Sequence, residues 1–352
     1  MITTTSLRVT ALVILAVFAG ACGGGGIDAG DWKPLWNDDC PTWSSDGSTI
    51  AFGRHPSFGE EPAAGVHLYD VERDVLRRLT KDDLTVVAWP AGRREVVAFD
   101  GEVLMLVSVR TGRRRPLVDV TTRLPEARDA AVLPSPDFGS VLVGFQRPSA
   151  TDDPLDYRDE VWVVDVKTAA SRMVSRRDQK FAGNASWSPD GRWIAYDDLD
   201  HIYLVRRDGS GRRVVPAGKS ASRAVFSPDG KALAYTGLSG VLRIDLTTGR
   251  RRLLHPGEDE VTDWSRDGRK LLAMSLGGAV VIDSATGREL ARLPEFGGTW
   301  PGTGVYCPRF SPDGNTVAFQ RSWPGSFGGG TDALYLAPAD LSSARSIDPA
   351  GR

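Results

Sequence analysis

The sequence predicts an all-β protein: a single β-propeller of four-stranded antiparallel blades, seven in the most economical count. Three observations predict it. A hairpin signature recurs along the chain, at Trp43 to Gly47, Trp187 to Gly191, Phe226 to Gly230, Trp264 to Gly268 and Phe310 to Gly314, with weaker versions at Trp89 to Gly92 and Ser135 to Gly139. Successive turn glycines lie 45, 47, 52, 39, 38 and 46 residues apart, a period that belongs to four-stranded blades rather than to helical solenoids. Each hairpin is followed by two more short apolar runs, best seen in Val241 to Leu246 and Arg251 to Leu254. Unit three is degenerate, with Phe138 inserted in its turn, so six blades plus an irregular insertion is the alternative.

The stretch from Ala224 to Tyr235 shows why the unit folds as it does. A strand ends in Phe226, a Ser227-Pro228-Asp229-Gly230 turn follows, and a second strand places apolar residues at alternate positions. Pro presets φ, Asp bonds back to its own backbone, and Gly takes the positive φ that a branched residue resists. This is a hairpin signal. A third strand then runs into a short turn such as Thr248-Gly249, and a fourth completes the unit.

These motifs resemble the TolB-type propeller repeat, a WD-like unit of pattern W-S-P-D-G, then I-A-F, then I-Y-V-x-D-x-x-T-G. Similar repeats form the propellers of prolyl-oligopeptidase-like enzymes. The resemblance covers roughly residues 40 to 347, and five good copies carry it. It implies the fold. It leaves function open, because this repeat hosts binding surfaces, catalytic partners and lyase sites in different proteins.

At the N-terminus, Arg8 precedes an apolar run from Val9 to Phe18 and the small residues Ala19-Gly20-Ala21, which reads as a secretory signal over residues 1–21. The ending Ala-Gly-Ala-Cys resembles a bacterial lipobox, which makes Cys22 the expected lipidation site; cleavage by an ordinary signal peptidase is the alternative. Residues 22–39, with Gly23 to Gly26 at their start, are expected to be a lipidated cysteine and flexible tether, and residues 40–352 the propeller. The expected location is exported and lipid-anchored to the bacterial membrane, facing the periplasm or the exterior. Lys plus Arg number 43 against 45 Asp plus Glu, so charge gives no case for nucleic acid, and membrane contact is expected through the lipid only.

Cys40 stands three residues before Trp43 and Cys307 three before Phe310, the same position in the first and last units. In a closed ring those units are neighbours, so a Cys40–Cys307 disulfide is expected to latch it, with two unpaired thiols as the alternative. No spare strand is evident to complete one terminal blade from the other.

In an up-and-down blade the Asp-Gly and Thr-Gly turns share one face of the ring. The long connections, residues 54–65, 146–160, 295–306 and 321–331, fall on the other, where function is usually carried. Arg54 and Arg321 follow a strand aromatic in matching places, and Arg147 is a looser copy. With Trp300 and Trp323 they are the expected ligand-binding residues around the channel mouth. Arginines paired with Asp or stacked on Trp, ordering loops, are the competing reading. The acidic run Asp152, Asp153, Asp156, Asp159 and Glu160 matches no calcium spacing, and no metal site or cofactor is expected. The four histidines, His55, His67, His201 and His255, are scattered, and no G-x-S-x-G elbow exists. The expected function is an envelope module that binds a protein, peptide or cell-wall saccharide. The alternative is an envelope polysaccharide lyase or hydrolase using His55 or His201 with Arg54.

Overall fold

Seven antiparallel sheets, each a meander in chain order, follow one another around a ring. The computed structural model describes residues 36–56, 64–128, 130–148, 157–275, 278–293, 304–323 and 331–348, apart from the side chains of Pro148, Ser275, Trp323 and Thr331. Blade one holds β1 (Trp36–Asp38), β2 (Thr42–Trp43), β3 (Thr49–Pro56), β4 (Gly65–Asp70) and β5 (Val75–Arg78). Blade two holds β6 (Thr85–Ala88), β7 (Glu95–Phe99), β8 (Val103–Ser108) and β9 (Arg114–Asp119). Blade three holds β10 (Ala131–Pro134), β11 (Ser140–Pro148), β12 (Tyr157–Asp165) and β13 (Ser171–Met173). Blade four holds β14 (Gly183–Trp187), β15 (Trp193–Asp197), β16 (Ile202–Arg206) and β17 (Arg213–Val214). Blade five holds β18 (Ser222–Phe226), β19 (Ala232–Gly237), β20 (Gly240–Asp245) and β21 (Arg251–Pro256). Blade six holds β22 (Glu260–Trp264), β23 (Lys270–Ser275), β24 (Gly278–Asp283) and β25 (Glu289–Leu293), and blade seven β26 (Gly304–Phe310), β27 (Thr316–Trp323), β28 (Thr331–Pro338) and β29 (Arg345–Ser346).

The recurring turn closes through its serine. Ser227 Oγ donates to Asp229 at 2.6 Å and accepts the Ala232 N–H at 2.9 Å, and Gly230 sits at φ +70°. Ser44, Ser188, Ser265 and Ser311 repeat both bonds. One hydroxyl thus satisfies the first strand-two amide that the ladder leaves open. In blade three Phe138 stands at the glycine place of the turn rather than as an insertion: it takes the left-handed conformation at φ +56°, Ser135 makes both bonds over the same span to Ser140, and the sheet is intact. Blade three is therefore a full blade and the count is seven.

Packing between blades makes the core. Among the described residues there are seven buried clusters, one for each gap of the ring. The seam between blades seven and one has its own, built from Ile50, Phe52 and Tyr69 against Ala318, Leu334, Leu336 and Ile347. Apolar burial drives every gap alike. The seam, however, has no covalent chain crossing it in sequence order, and further covalent and polar contacts fasten it.

The first is the Cys40–Cys307 disulfide, with Cα atoms 5.5 Å apart. The second is Arg54, whose Nε and Nη2 donate to Asp38 at 2.5 and 2.9 Å and whose Nη1 donates to Asp348 at 3.0 Å. Trp36 stacks on the guanidinium at 4.1 Å. The third is Arg345 of blade seven, which donates to Tyr69 Oη at 2.8 Å and to Asp74 at 3.0 Å in blade one.

Two expectations change here. The segment placed in the tether is structured from Trp36 onward, because β1 pairs with the far end of β3 and Gln320 of blade seven donates to the Asp38 carbonyl at 2.7 Å. Arg54 is 3 % exposed with its guanidinium committed to two carboxylates, so it closes the ring rather than lining a pocket. That is the pairing role given above as the competing reading.

Candidate functional site

The two faces of the ring differ in what their residues are already doing. On the turn face, Asp245 Oδ1 accepts the amides of Thr247 and Thr248 and the Thr248 hydroxyl, and Asp283 does the same for Ala285 and Thr286. These carboxylates are spent on local turns. The opposite face receives the starts of the first strands and the ends of the second, next to the long connections. Those connections lie largely outside the described residues. Trp300 lies outside them, as do Cys22 and Asp152, Asp153 and Asp156; Trp323 is described only as the last residue of β27, paired in register with Thr331.

Here the first strands of blades four to seven carry a polar rim. Asn184 and Arg223 occupy left-handed backbone at φ +47° and +55°, each inside a register shift of its hairpin. A bulge re-aims a side chain, and left-handed backbone costs a non-glycine residue about 1–2 kcal/mol. The compensating contact is Asp197, fully buried, which accepts the Arg223 amide at 2.8 Å and the Asn184 side chain at 3.3 Å. Burial pushes its carboxyl up to about 6, against the pull of those two bonds.

Asp197 follows Tyr196, the buried aromatic of a second strand. The residue after the aromatic repeats this reach into the next blade. Thr236 Oγ1 accepts the Val261 amide at 3.1 Å, and Gln320 reaches blade one. In blade one the position is Gly53, and Asp39 takes over by accepting the Val86 amide at 3.2 Å. A Cβ on Gly53 would stand 2.2 Å from the Leu84 carbonyl oxygen and 2.3 Å from Asp39.

On the rim itself Arg223 pairs with Glu260 of the next blade at 3.1 Å, both partly exposed. Burial raises the Tyr306 phenol, and the carboxylates of Asp332 and Glu260 add to the rise. Asp332 is in turn pushed up to about 6 by burial, partly opposed by bonds from Ser322 and Gln320. Arg223, Glu260, Tyr306 and Asp332 therefore combine a cation, two carboxylates and a phenol at one end of the channel. Such a set can bind a polar ligand through several hydrogen bonds, and could hold or move a proton.

The arginines proposed from sequence do not converge. Arg147 is held by Glu160 at 3.1 Å and by Glu126 at 2.5 Å in blade three. Arg321 extends over the Tyr335 ring at 5.8 Å in blade seven, on the edge of the same mouth as Asp332. The histidines are equally dispersed. His55 bridges Asp83 and Asp39, the latter at 3.0 Å, and although burial disfavours its charge, the two carboxylates hold the imidazolium up to about 10. It faces blade two while Arg54 faces blade seven, and His201 lies in blade four against Asp198 at 3.5 Å. The pairing of either histidine with Arg54 is not assembled.

Arg223, Glu260 and Tyr306 were legible in principle. Each stands three or four residues before the turn aromatic, where other units carry Val86 or Ala131.

No protein-family model matches the sequence, and no curated protein does. Solved structures do. An oligogalacturonate lyase in complex with manganese aligns at a TM-score of 0.64 with 18 % identity, covering 86 % of this chain and 90 % of that one. The oligogalacturonate lyase of Vibrio parahaemolyticus aligns at 0.63 with 16 % identity and the same coverage. A putative TolB from Agrobacterium tumefaciens aligns at 0.45 with 13 % identity over 80 % of this chain and 86 % of that one. At these identities the likeness is one of fold. Among the described residues no three His, Cys, Asp or Glu side chains converge as a metal site, so the manganese of the first structure has no counterpart ligand set there.

Proposed function

We propose that this chain is an exported propeller, anchored through a lipid on Cys22, that recognises a ligand at the envelope with the channel mouth on its long-connection face. The observation that carries the reading is the rim of Arg223, Glu260 and Tyr306 on the first strands of neighbouring blades, with Asp332 beside them at the start of β28. The Arg223–Glu260 pair is partly open to solvent, and a ligand carboxylate or hydroxyl can exchange into it at small cost. Arg321, beside Asp332 on the paired strand, borders this mouth, and Trp300 and Trp323 are proposed as further ligand contacts. Within protein, peptide and saccharide, the mixture of phenol, carboxylates and one cation suits a saccharide best.

The test is calorimetric titration of the full chain with cell-wall oligosaccharides, including uronate-containing ones. Binding that weakens at least about tenfold in Arg223→Ala and in Tyr306→Phe, the loss of one or two hydrogen bonds, supports the reading. Saccharide binding that ignores both changes would overturn it.

The second reading, an envelope polysaccharide lyase or hydrolase, draws on the names of the solved lyases and on the same rim, with Arg223 placed to neutralise an acid group and Tyr306 to move a proton. No step of it runs through a metal. Ultraviolet absorbance from an unsaturated product, appearing with the wild type and lost with Tyr306→Phe, would favour lyase action over recognition.

A further inference from the structure

We infer that blade two carries a second binding site on the turn face, where the turn at Arg110 and Thr111 and the arginines around it hold a phosphate group of a linear polyanion. The internal repeat locates it. In blades three, five and six the third strand ends in Asp165, Asp245 and Asp283, and Oδ1 of each accepts two successive turn amides and a threonine hydroxyl at 2.6 to 3.1 Å. Blade one has Asp70 in the same place, and blades four and seven carry the carboxylate two residues further on, at Asp208 and Asp340. In blade two Ser108 stands there, and no Asp or Glu follows before Arg115.

The turn itself is unchanged. Gly112 sits at φ +70° and donates to the Ser108 carbonyl at 2.8 Å, as Gly249 sits at φ +71° and donates to that of Asp245 at 2.9 Å. Thr111 Oγ1 accepts the Arg113 amide at 3.3 Å, as Thr248 accepts that of Arg250. The donors that an aspartate takes elsewhere, the Arg110 and Thr111 amides and the Thr111 hydroxyl proton, therefore have no acceptor among the described residues. Successive amides directed out of one turn make an anion-binding concavity.

Charge at this end of the blade points the same way. Its other turn, Trp89-Pro90-Ala91-Gly92, is one residue shorter than Phe226 to Gly230, lacks both serine and aspartate, and runs into Arg93 and Arg94. The Val109 amide ties the two turns by donating to the Arg94 carbonyl at 3.0 Å. All the arginines between β6 and β9, Arg93, Arg94, Arg110, Arg113, Arg114 and Arg115, thus lie toward the turn face, while Asp100, Glu102 and Asp119 lie toward the opposite end. Glu95 pairs with Arg115 at 3.3 Å and lies 3.8 Å from Arg93, and Asp82 of the preceding connection pairs with Arg114 at 3.1 Å. Arg94, Arg110 and Arg113 are exposed and have no carboxylate partner among the described residues. From blade one Arg77 brings a further guanidinium to the turn, donating to the Val109 carbonyl at 2.8 Å.

The donor count selects the ligand. One oxygen is enough for the turn donors, as the aspartates show, but a carboxylate then has a single oxygen left for the arginines. A phosphate has further oxygens and can meet guanidiniums on both sides of the turn. Cations spread over both turns suit a chain of such groups rather than one alone. The site is on the face opposite the channel mouth and does not depend on the saccharide reading.

The experiment titrates sodium tripolyphosphate into the full chain by calorimetry. Saturable binding is expected, weakened at least about tenfold by Arg110→Ala with Arg113→Ala. The control Arg250→Ala with Arg288→Ala removes equal charge from turns that keep their aspartate, and should leave affinity unchanged. Ser108→Asp restores the acceptor of the repeat and should abolish binding with every arginine in place. Ser108→Asn supplies the acceptor without the charge and should also weaken binding; it serves alone should thermal melts show Ser108→Asp unfolding early. Absence of saturation, equal weakening in both double variants, or unchanged affinity in Ser108→Asn overturns the site. An oligogalacturonate or oligoglutamate that binds more tightly, with the same dependence on Ser108 and the arginines, overturns phosphate as its ligand.

Discussion

Arg54 and Asp348 are 294 positions apart in the chain and meet through a buried 3.0 Å hydrogen bond. With Asp38 completing the guanidinium's partners, one side chain joins the first strand of the ring, the first blade and the turn that follows β29. Removing one member of a buried charge network leaves the others uncompensated, which costs about 3–5 kcal/mol. Arg54→Met is therefore expected to lower the unfolding free energy, read from denaturant titration, by an amount of that order. Arg54→Lys should recover little, because an ammonium cannot satisfy both acids in the planar fork. If instead Arg54→Met leaves stability alone and abolishes ligand binding, the closure role is wrong.

The disulfide adds to the same seam. A loop spanning 267 positions is worth up to about 5 kcal/mol in the chain-entropy account. Reduction, or Cys40→Ser with Cys307→Ser, should lower equilibrium stability by a few kcal/mol while the far-ultraviolet spectrum stays that of an intact ring, since the apolar cluster and Arg54 remain.

His55 gives the seam's neighbour a pH dependence. Its folded value near 10 lies above the ordinary 6.5, so its stabilisation is complete below pH 6.5 and is lost as pH rises toward 10. Melting temperature should fall across that window. His55→Gln should flatten the fall, and an unchanged slope in the variant would remove His55 as its source.

Asp197 ties stability to the mouth. Asp197→Ala leaves the Arg223 amide without an acceptor in a left-handed bulge, at a cost of about 2 kcal/mol. The same change lets Arg223 leave its place, so saccharide affinity should drop along with stability. Asp197→Asn keeps an acceptor and should preserve most of both. For Asp197 and Asp332, whose folded values near 6 exceed the unfolded value, the linkage favours folding below about pH 4 and is lost as pH rises through 6.

Gly53 offers a purely steric check. Gly53→Ala drives a methyl into the Leu84 carbonyl and Asp39, and is expected to cost about 3 kcal/mol as overpacking between blades one and two. Gly92→Ala, whose Cβ meets nothing within 4 Å, should cost only the strain of its positive φ of +71°.

Blade number, strand order and the disulfide were all legible because each rests on local chemistry repeated at a fixed period. The Ser-Pro-Asp-Gly turn announces its own geometry, and Cys40 and Cys307 share one place in the unit. The site was less legible for a physical reason. Arg54, Arg147 and Arg321 share a sequence context, yet their partners come from elsewhere: Asp38 and Asp348, Glu126 and Glu160, and the Tyr335 ring. Nothing near an arginine in sequence says which blade supplies its carboxylate. The rim residues Arg223 and Tyr306 are marked only by departing from the apolar residues of other units, and bulges decide which way they point.

The pairing of Trp36 with Pro56 also sets an orientation. β3 runs from the turn face to the long-connection face, so the chain enters the ring beside the channel mouth. A lipid on Cys22 would be joined to Trp36 by 13 intervening residues, a reach of at most about 50 Å when fully drawn out. The mouth would then look toward the bilayer from within that distance, while the turn face looks away. Ligands of the mouth would be drawn from the thin layer next to the membrane.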